Sequence, residues 1–371
     1  MRVYWHDDCL LHDTGTGVFG SGPSPLIAVP ELHPENVERV RNMRSALERG
    51  PLAGALEWHP GRHASEAELA MIHHAEHIDR VRDFCAAGGG FLTASTPVVP
   101  ASWQAALAAA GTTLAAAEAV LAGECTTAYA LVRPPGHHAQ PDRPDGYCLF
   151  ANAALAAELA RRRGVERIAI VDWDVHHGNG TQECFYERAD VLTVSLHMDH
   201  RSWGADHPQS GLPEEVGRAD GAGFNVNVAF PMGVGDEAYL AAMDTVVEPL
   251  VREFDPGLLI VTCGQDASQY DPNGRQCVTM AGFHALGRAA RRLAGECCAG
   301  RLLLVQEGGY GRTYSGLCLL ATVAGVLGAE TRVDDPLAFL PDPPGLGDSA
   351  VAATRQAVSG FWPVFGSPDV G

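Results

Sequence analysis

The sequence predicts an α/β protein of three layers, with helices on both faces of a central, mostly parallel sheet. Two observations carry that reading. Short runs that are apolar on both faces alternate with helix-like stretches, as expected of buried parallel strands joined by crossover helices. The polar, glycine-containing motifs then fall just past the ends of those runs, where open α/β sheets gather their ligands.

The elements follow in order. "RVYW" opens the chain as a strand, and residues 10–35 after it carry little periodicity and many turn formers. A loop that long in a compact protein is a candidate functional segment. An alanine-rich helix is predicted over 103–122, then a strand "TAYALV" over 127–132 that runs into "RPPGHH". A helix over 151–163 leads to "RIAIVD" (167–172), whose end merges into "DWDVHHGNG" (172–180). Strands "DVLTVSL" (190–196) and "FNVNVA" (224–229) come next, then a helix over 236–253. "GLLIVT" (257–262) ends in "CGQDAS", a helix is predicted over 280–296, and "RLLLVQ" (301–306) ends in "EGGYG". A last helix spans 314–327, and the Pro- and Gly-rich stretch 335–347 loosens the end of the chain. The expected organisation is one domain over 1–371, a core over 1–330 and a C-terminal arm over 331–371 packed on the body or on a partner subunit.

Composition narrows the function. A net charge of −19 argues against nucleic acid, since binding phosphates needs clustered basic residues. It suits a cationic small substrate and also simply keeps a protein soluble. All 26 basic residues are arginine, so Schiff-base and lysine-base mechanisms are excluded. The ten cysteines show neither a CxxC pair nor disulfide-type spacing, and "MRVYWHDD" lacks the pattern of a signal peptide. No uninterrupted stretch of 18 apolar residues suggests a membrane span. The expectation is a reduced, cytoplasmic home with no membrane partner.

The motifs point to metal-assisted chemistry. If the chain stays extended past Val171, then Asp172, Asp174 and His176 share one face. Carboxylate with imidazole suits Zn²⁺, Fe²⁺ or Mn²⁺. Asp266 adds a carboxylate at another strand end, and Asp174, His176 and Asp266 make the three-ligand set of a catalytic zinc with an open position. His137 and His138 follow a turn stiffened by two prolines and a glycine, which suits an acid/base pair beside an activated water. Tyr310, on a glycine-rich turn, can donate to a developing oxyanion. Together these groups amount to hydrolysis of an amide.

"RPPGHHA", "DGYCLFAN", "DWDVHHGNGTQ", "SLH", "CGQDA" and "EGGY" occur in the order seen in the histone deacetylase superfamily. The resemblance is to its class II-like bacterial amidohydrolases and acetylpolyamine amidohydrolases, over roughly residues 1–330. It implies the arginase–deacetylase fold with an eight-stranded sheet. Asp174, His176 and Asp266 match the zinc ligands of that family, which demotes Asp172 from ligand to a partner of His137. By the same match His138 is general base and acid, Asn179 orients it, His137 acts electrostatically and Tyr310 is the oxyanion donor. The Gly146 carbonyl would accept the substrate amide and Tyr147 would form one tunnel wall. A structural potassium ion is implied at Asp172, Ser195 and Leu196 with neighbouring carbonyls, and a second near Phe185, Arg188 and Val191. His177, of opposite parity to the ligands, is read as structural.

Three departures bear on substrate. Gln265 stands where relatives carry an apolar residue and is expected at the pocket floor. The stretch 197–211 is longer than usual, so either Trp203 or His207 takes the second tunnel wall. Tyr270 replaces a smaller residue. The expected substrate is a small acylated amine, such as an acetylpolyamine or N-acyl metabolite, ahead of acetyl-lysine in protein. Two competing readings are a non-catalytic module that binds acylated amines and an arginase-like ureohydrolase, which needs more carboxylates for two metal ions. The loop 10–35 and the C-terminal arm are suited to contacts in a homo-oligomer.

Overall fold

The computed structural model describes residues 1–17, 24–199, 210–339 and 342–366. Among the described residues there are ten strands: β1 (Arg2–Trp5), β2 (Glu57–Pro60), β3 (Gly90–Thr93), β4 (Thr96–Val98), β5 (Thr127–Ala130), β6 (Ile168–Asp172), β7 (Val191–Met198), β8 (Asn225–Phe230), β9 (Leu258–Cys263) and β10 (Leu302–Gln306). Eight of them make one sheet in the order β2-β1-β5-β10-β9-β6-β7-β8, and β3 with β4 is a small antiparallel hairpin. Every pairing in the large sheet is parallel. The cause is visible in composition. "LLIVTC" of β9 and "IAIVD" of β6 are buried at every residue, so both faces need covering, which parallel crossovers provide.

Two apolar cores lie on the two faces of the sheet. One gathers Val171, Leu259 and Leu304 with Phe283, Leu286 and Leu319 from the helices Met280–Cys297 and Tyr314–Leu327. The other gathers Ile170, Ile260 and Leu303 with Ala109, Leu114 and Leu155 from the helices Ser102–Leu121 and Asn152–Arg162. Alternation along each strand sends neighbouring residues to opposite cores. Ser102–Leu121 is long and apolar enough to cross a bilayer by length and composition, yet its surface is mostly buried against this core. All ten cysteines are free.

The structure departs from the sequence reading in places. The edge strand β2 and the amphipathic helix Val37–Arg49 were not expected, and the helix over 236–253 contains a π-helical turn, Met243–Val247. The C-terminal segment carries a helix, Asp348–Val358, whose Thr354 donates to the Asn227 carbonyl of β8 at 2.8 Å. Trp362 then bonds the Gly223 carbonyl at 2.7 Å, which ties the arm to the body.

Candidate active site

The four strands that end in polar motifs, β5, β10, β9 and β6, are neighbours at the middle of the sheet. Four stretches far apart in sequence therefore open onto one place. From β6 come Asp174 and His176, and from β9 comes Asp266. A ligand atom from each lies within 4.8 Å of the other two, and all three residues are buried. His176 Nδ1 is 3.2 Å from Asp174 Oδ1 and 3.1 Å from Asp266 Oδ2. Glycines make the approach of the carboxylates feasible. A Cβ on Gly308 would sit 2.2 Å from Asp266 Oδ2 and 2.6 Å from Asp174 Oδ2, and one on Gly264 would sit 2.3 Å from Asp174 Oδ2.

The cluster demands positive charge. Burial disfavours the imidazolium of His176, but its bonds to Asp174 and Asp266 outweigh that and lift it to about 10. Burial and the neighbouring Asp174 push Asp266 up to about 7. Two buried carboxylates thus share one proton-hungry imidazole, and a divalent cation with these three ligands satisfies the same deficit. The donor set fits such an ion.

Beside the triad, the turn after β5 presents His137 and His138, whose rings lie 3.9 Å apart. His137 Nδ1 meets Asp172 Oδ2 at 2.9 Å, and the other Asp172 oxygen accepts the Asp174 amide at 2.9 Å. Asp172 thus faces the histidine and a backbone amide, not the triad. Burial opposes charge on His137, but Asp174 and Asp172 hold its pKa well above the ordinary value. His138 goes the other way. Burial, His137 and His176 push it well below, so the two imidazoles are set apart in charge. Its Nδ1 bonds Asn179 Oδ1 at 2.7 Å, and Asn179 Nδ2 in turn donates to Asp145 Oδ2 at 3.0 Å.

Tyr310 lies on the turn after β10. Asp271 fixes that turn, accepting the amides of Tyr310 at 2.6 Å and Gly311 at 3.0 Å. The Arg39 guanidinium covers the Tyr310 ring at 5.0 Å, and Tyr147 packs edge-on against it at 5.7 Å. Gly146 and Tyr147 both take left-handed backbone, with φ of 47° and 70°. A Cβ at Gly146 would lie 2.3 Å from His138 Cδ2, so only glycine leaves the imidazole in place.

The remaining expected residues sort differently. Gln265 is fully buried and turned away from the triad. Its amide bonds the Cys263 carbonyl at 3.2 Å and accepts from Gln306 at 2.9 Å. Gln306 is itself held by the Tyr129 hydroxyl. That corrects the expectation of a pocket-floor residue: Gln265 takes part in a polar network behind the site with Cys263 and Gln306. Ser195 pairs with Asp172 across β6 and β7 and contacts His197 Nδ1 at 2.9 Å, and Leu196 is fully buried. Asp172 and Ser195 share the wall of a small cavity with Gly178. His177 bonds Gln182 at 2.9 Å and packs against His197, as a structural residue would. Trp203 and His207 lie outside the described residues. Tyr270 is exposed and borders a groove of about 830 Å³ with Tyr310, Glu31 and Leu32.

Sequence reasoning missed several supporting groups. Glu307 Oε2 accepts the amides of Gly136 at 2.6 Å and His137 at 3.1 Å, gripping the histidine turn. Arg39 donates to the Glu307 carbonyl at 2.8 Å. Glu35, from the end of the long loop, binds both Arg39 at 3.3 Å and Arg133 at 2.8 Å. Glu307 and Arg133 stood in motifs already singled out; Glu35 and Arg39 carried no local signal.

Known proteins resemble this chain in sequence and fold. The family model described as the histone deacetylase domain matches residues 33–326. "Histone deacetylase 8" of Arabidopsis thaliana is 47% identical over 367 residues, covering 98% of this chain and 97% of that one. The "Histone deacetylase-like amidohydrolase" of Pseudomonas aeruginosa is 40% identical over 337 residues, 90% of this chain and 88% of that one. Among solved structures, the HDA15 HD domain superposes with a TM-score of 0.84 at 34% identity, covering 98% of this chain and 95% of that one. The sheet is that of the arginase–deacetylase fold, and the chain belongs to the histone deacetylase family of amide-bond hydrolases.

Proposed function

We propose that the protein is a zinc-dependent deacylase that removes an acyl group, acetyl in the first place, from a primary amine of a small molecule. The observation that carries this is convergence: the Asp174–His176–Asp266 cluster, the two histidines and Tyr310 meet at adjacent strand ends. Zn²⁺ held by Asp174, His176 and Asp266 would supply carbonyl polarisation and a more acidic water. His138, kept neutral by burial and its charged neighbours, takes the proton from water and returns it to the leaving amine. Asn179 fixes the ring for both transfers. His137, paired with Asp172, remains charged and stabilises negative charge nearby. The Tyr310 phenol, kept protonated by burial, donates to the oxyanion. The Gly146 carbonyl receives the substrate N–H and Tyr147 walls the tunnel.

Potassium at Asp172, Ser195 and Leu196 is supported by the pairing of Asp172 with Ser195 and the small cavity that both line. Small cationic amines, acetylpolyamines among them, are favoured over acetylated protein by the net charge of −19. The whole chain acts as one catalytic domain in the cytoplasm, with residues 331–371 as an arm available to a second subunit. The test is turnover of acetyl-lysine and acetylpolyamine substrates by zinc-loaded wild type, Tyr310→Phe and His138→Ala. Each variant should lose about 10²-fold or more in kcat. Full activity in both removes the mechanism, and tight binding without turnover by wild type would turn the reading toward a binding module.

A further inference from the structure

We propose a second metal site, open to solvent, at His6, Asp8 and His63, which takes a divalent transition-metal ion such as Zn²⁺, Ni²⁺ or Cu²⁺. It lies at the carboxyl ends of the outer strands, on the same side of the sheet as the catalytic motifs, where the chain leaves β1 and β2. His63 Nε2 is 2.7 Å from Asp8 Oδ2, and His6 Nδ1 is 3.9 Å from the same oxygen. The two imidazole rings stand 4.8 Å apart at 37°. One ligand atom from each residue lies within 4.8 Å of the other two.

That spacing is near what an ion needs. Ligand atoms around a tetrahedral ion with bonds of about 2.0–2.2 Å lie roughly 3.3–3.6 Å apart. The shorter contact must open and the longer one close by under an ångström, within the reach of side chains that are a quarter to two-fifths exposed. Two imidazoles and a carboxylate form a borderline donor set, which selects late transition metals over Mg²⁺ or Ca²⁺. Three protein ligands leave a position for water. The local charge permits it as well. Two neighbouring arginines are engaged elsewhere: Arg62, next to His63 in sequence, pairs with Glu68 and Glu118, and Arg44 pairs with Asp7, next to Asp8, and with Glu48. His6 Nδ1 also accepts the Asp8 amide at 3.1 Å, so coordination through that nitrogen exchanges one neutral hydrogen bond for a stronger bond to the ion.

The site would act as a clip. Asp8 belongs to the 3₁₀ turn Asp7–Leu10, and the carbonyls of Cys9 and His12 just beyond accept from Arg133, at the base of the histidine turn. An ion joining that turn to His63 would hold the start of the long 10–35 loop against the sheet.

The experiment is equilibrium dialysis of the full-length protein against Zn²⁺, with X-band EPR of the Cu²⁺-loaded protein as a second readout. Wild type should hold two ions per chain, and His63→Ala and His6→Ala one each, with basal deacylase activity unchanged. Asp174→Asn should retain the Cu²⁺ signal of the second site, with nitrogen splitting from two imidazoles, while His63→Ala lowers that affinity by at least about tenfold. Uptake of one ion by wild type, or a second ion indifferent to His6→Ala and His63→Ala, would overturn the proposal. Neither outcome touches the reading of the catalytic site, which Asp174→Asn tests separately: full activity in that variant would count against it.

Discussion

Replacing Glu307 by alanine should cost far more activity than stability. Its Oε2 takes the amides of Gly136 and His137 at 2.6 and 3.1 Å in a fully buried setting. Hydrogen bonds to a charged acceptor contribute about 1.5–3 kcal/mol each, and both amides would be left buried and unpaired. Against that, burial has pushed the Glu307 carboxyl from 4.5 to about 7. Removing it recovers part of the cost of burying a carboxylate. The net loss of folding stability is then modest, about 1–3 kcal/mol, on the same principles. Activity has no such offset. The turn carries both histidines, and a shift near 1 Å at a reacting group costs about 10²-fold. The assay measures kcat and KM, with zinc content and thermal melting on the same samples. Glu307→Ala should lower kcat with KM and metal content nearly unchanged, and Glu307→Gln, which keeps an oxygen acceptor without the charge, should restore part of it. A folded Glu307→Ala protein with kcat within twofold of wild type would refute the reasoning.

Other outcomes follow from the same geometry. Asn179→Asp puts a carboxylate on His138 Nδ1, at 2.7 Å in the native bond; it should raise the depressed His138 pKa and move the acidic limb of the kcat–pH profile to higher pH. An unmoved limb would show that His138 does not set it. His73 is buried, donating to the Gln140 carbonyl at 3.0 Å and accepting the Ala151 amide at 2.9 Å, and burial with His77 nearby drops it to about 3. Because its folded pKa lies below the unfolded value, its stabilisation is present above pH 6.5 and lost as pH falls toward 3. Wild type should therefore lose stability relative to His73→Gln by about 1.4 kcal/mol per pH unit between pH 6.5 and 4, read by denaturant titration. Parallel curves for the two proteins would contradict this.

How much of this was legible in sequence depended on locality. The seven long apolar runs of the sheet and the motifs at their ends stood out because each carries its pattern within a few residues. β2, "EWHP", did not, since an edge strand half exposed and ended by proline shows neither alternation nor an apolar run. The helix Val37–Arg49 buries only Arg39, Val40, Met43 and Leu47, and its charged face masked the period. At the site, parity placed Asp172, Asp174 and His176 together but could not tell ligand from neighbour. The difference lies in His137, 35 residues away, which meets the Asp172 carboxylate. Glu35 and Arg39 were invisible for the same reason, since Arg39 reaches Glu307 across 268 residues. Gln265 misled because its neighbour Asp266 faces the triad, while its own amide faces Gln306.

The central claim is that Asp174, His176 and Asp266 hold the ion on which turnover depends. The direct measurement is titration of chelator-stripped protein with Zn²⁺, following deacylase activity against bound metal. Activity should be absent in the stripped protein and reach its plateau when one equivalent has filled the buried site. Asp266→Asn, which removes a carboxylate within 3.1 Å of His176, should not recover it at the same free zinc. Full activity in the stripped protein, or an Asp266→Asn variant as active as wild type, would contradict the account.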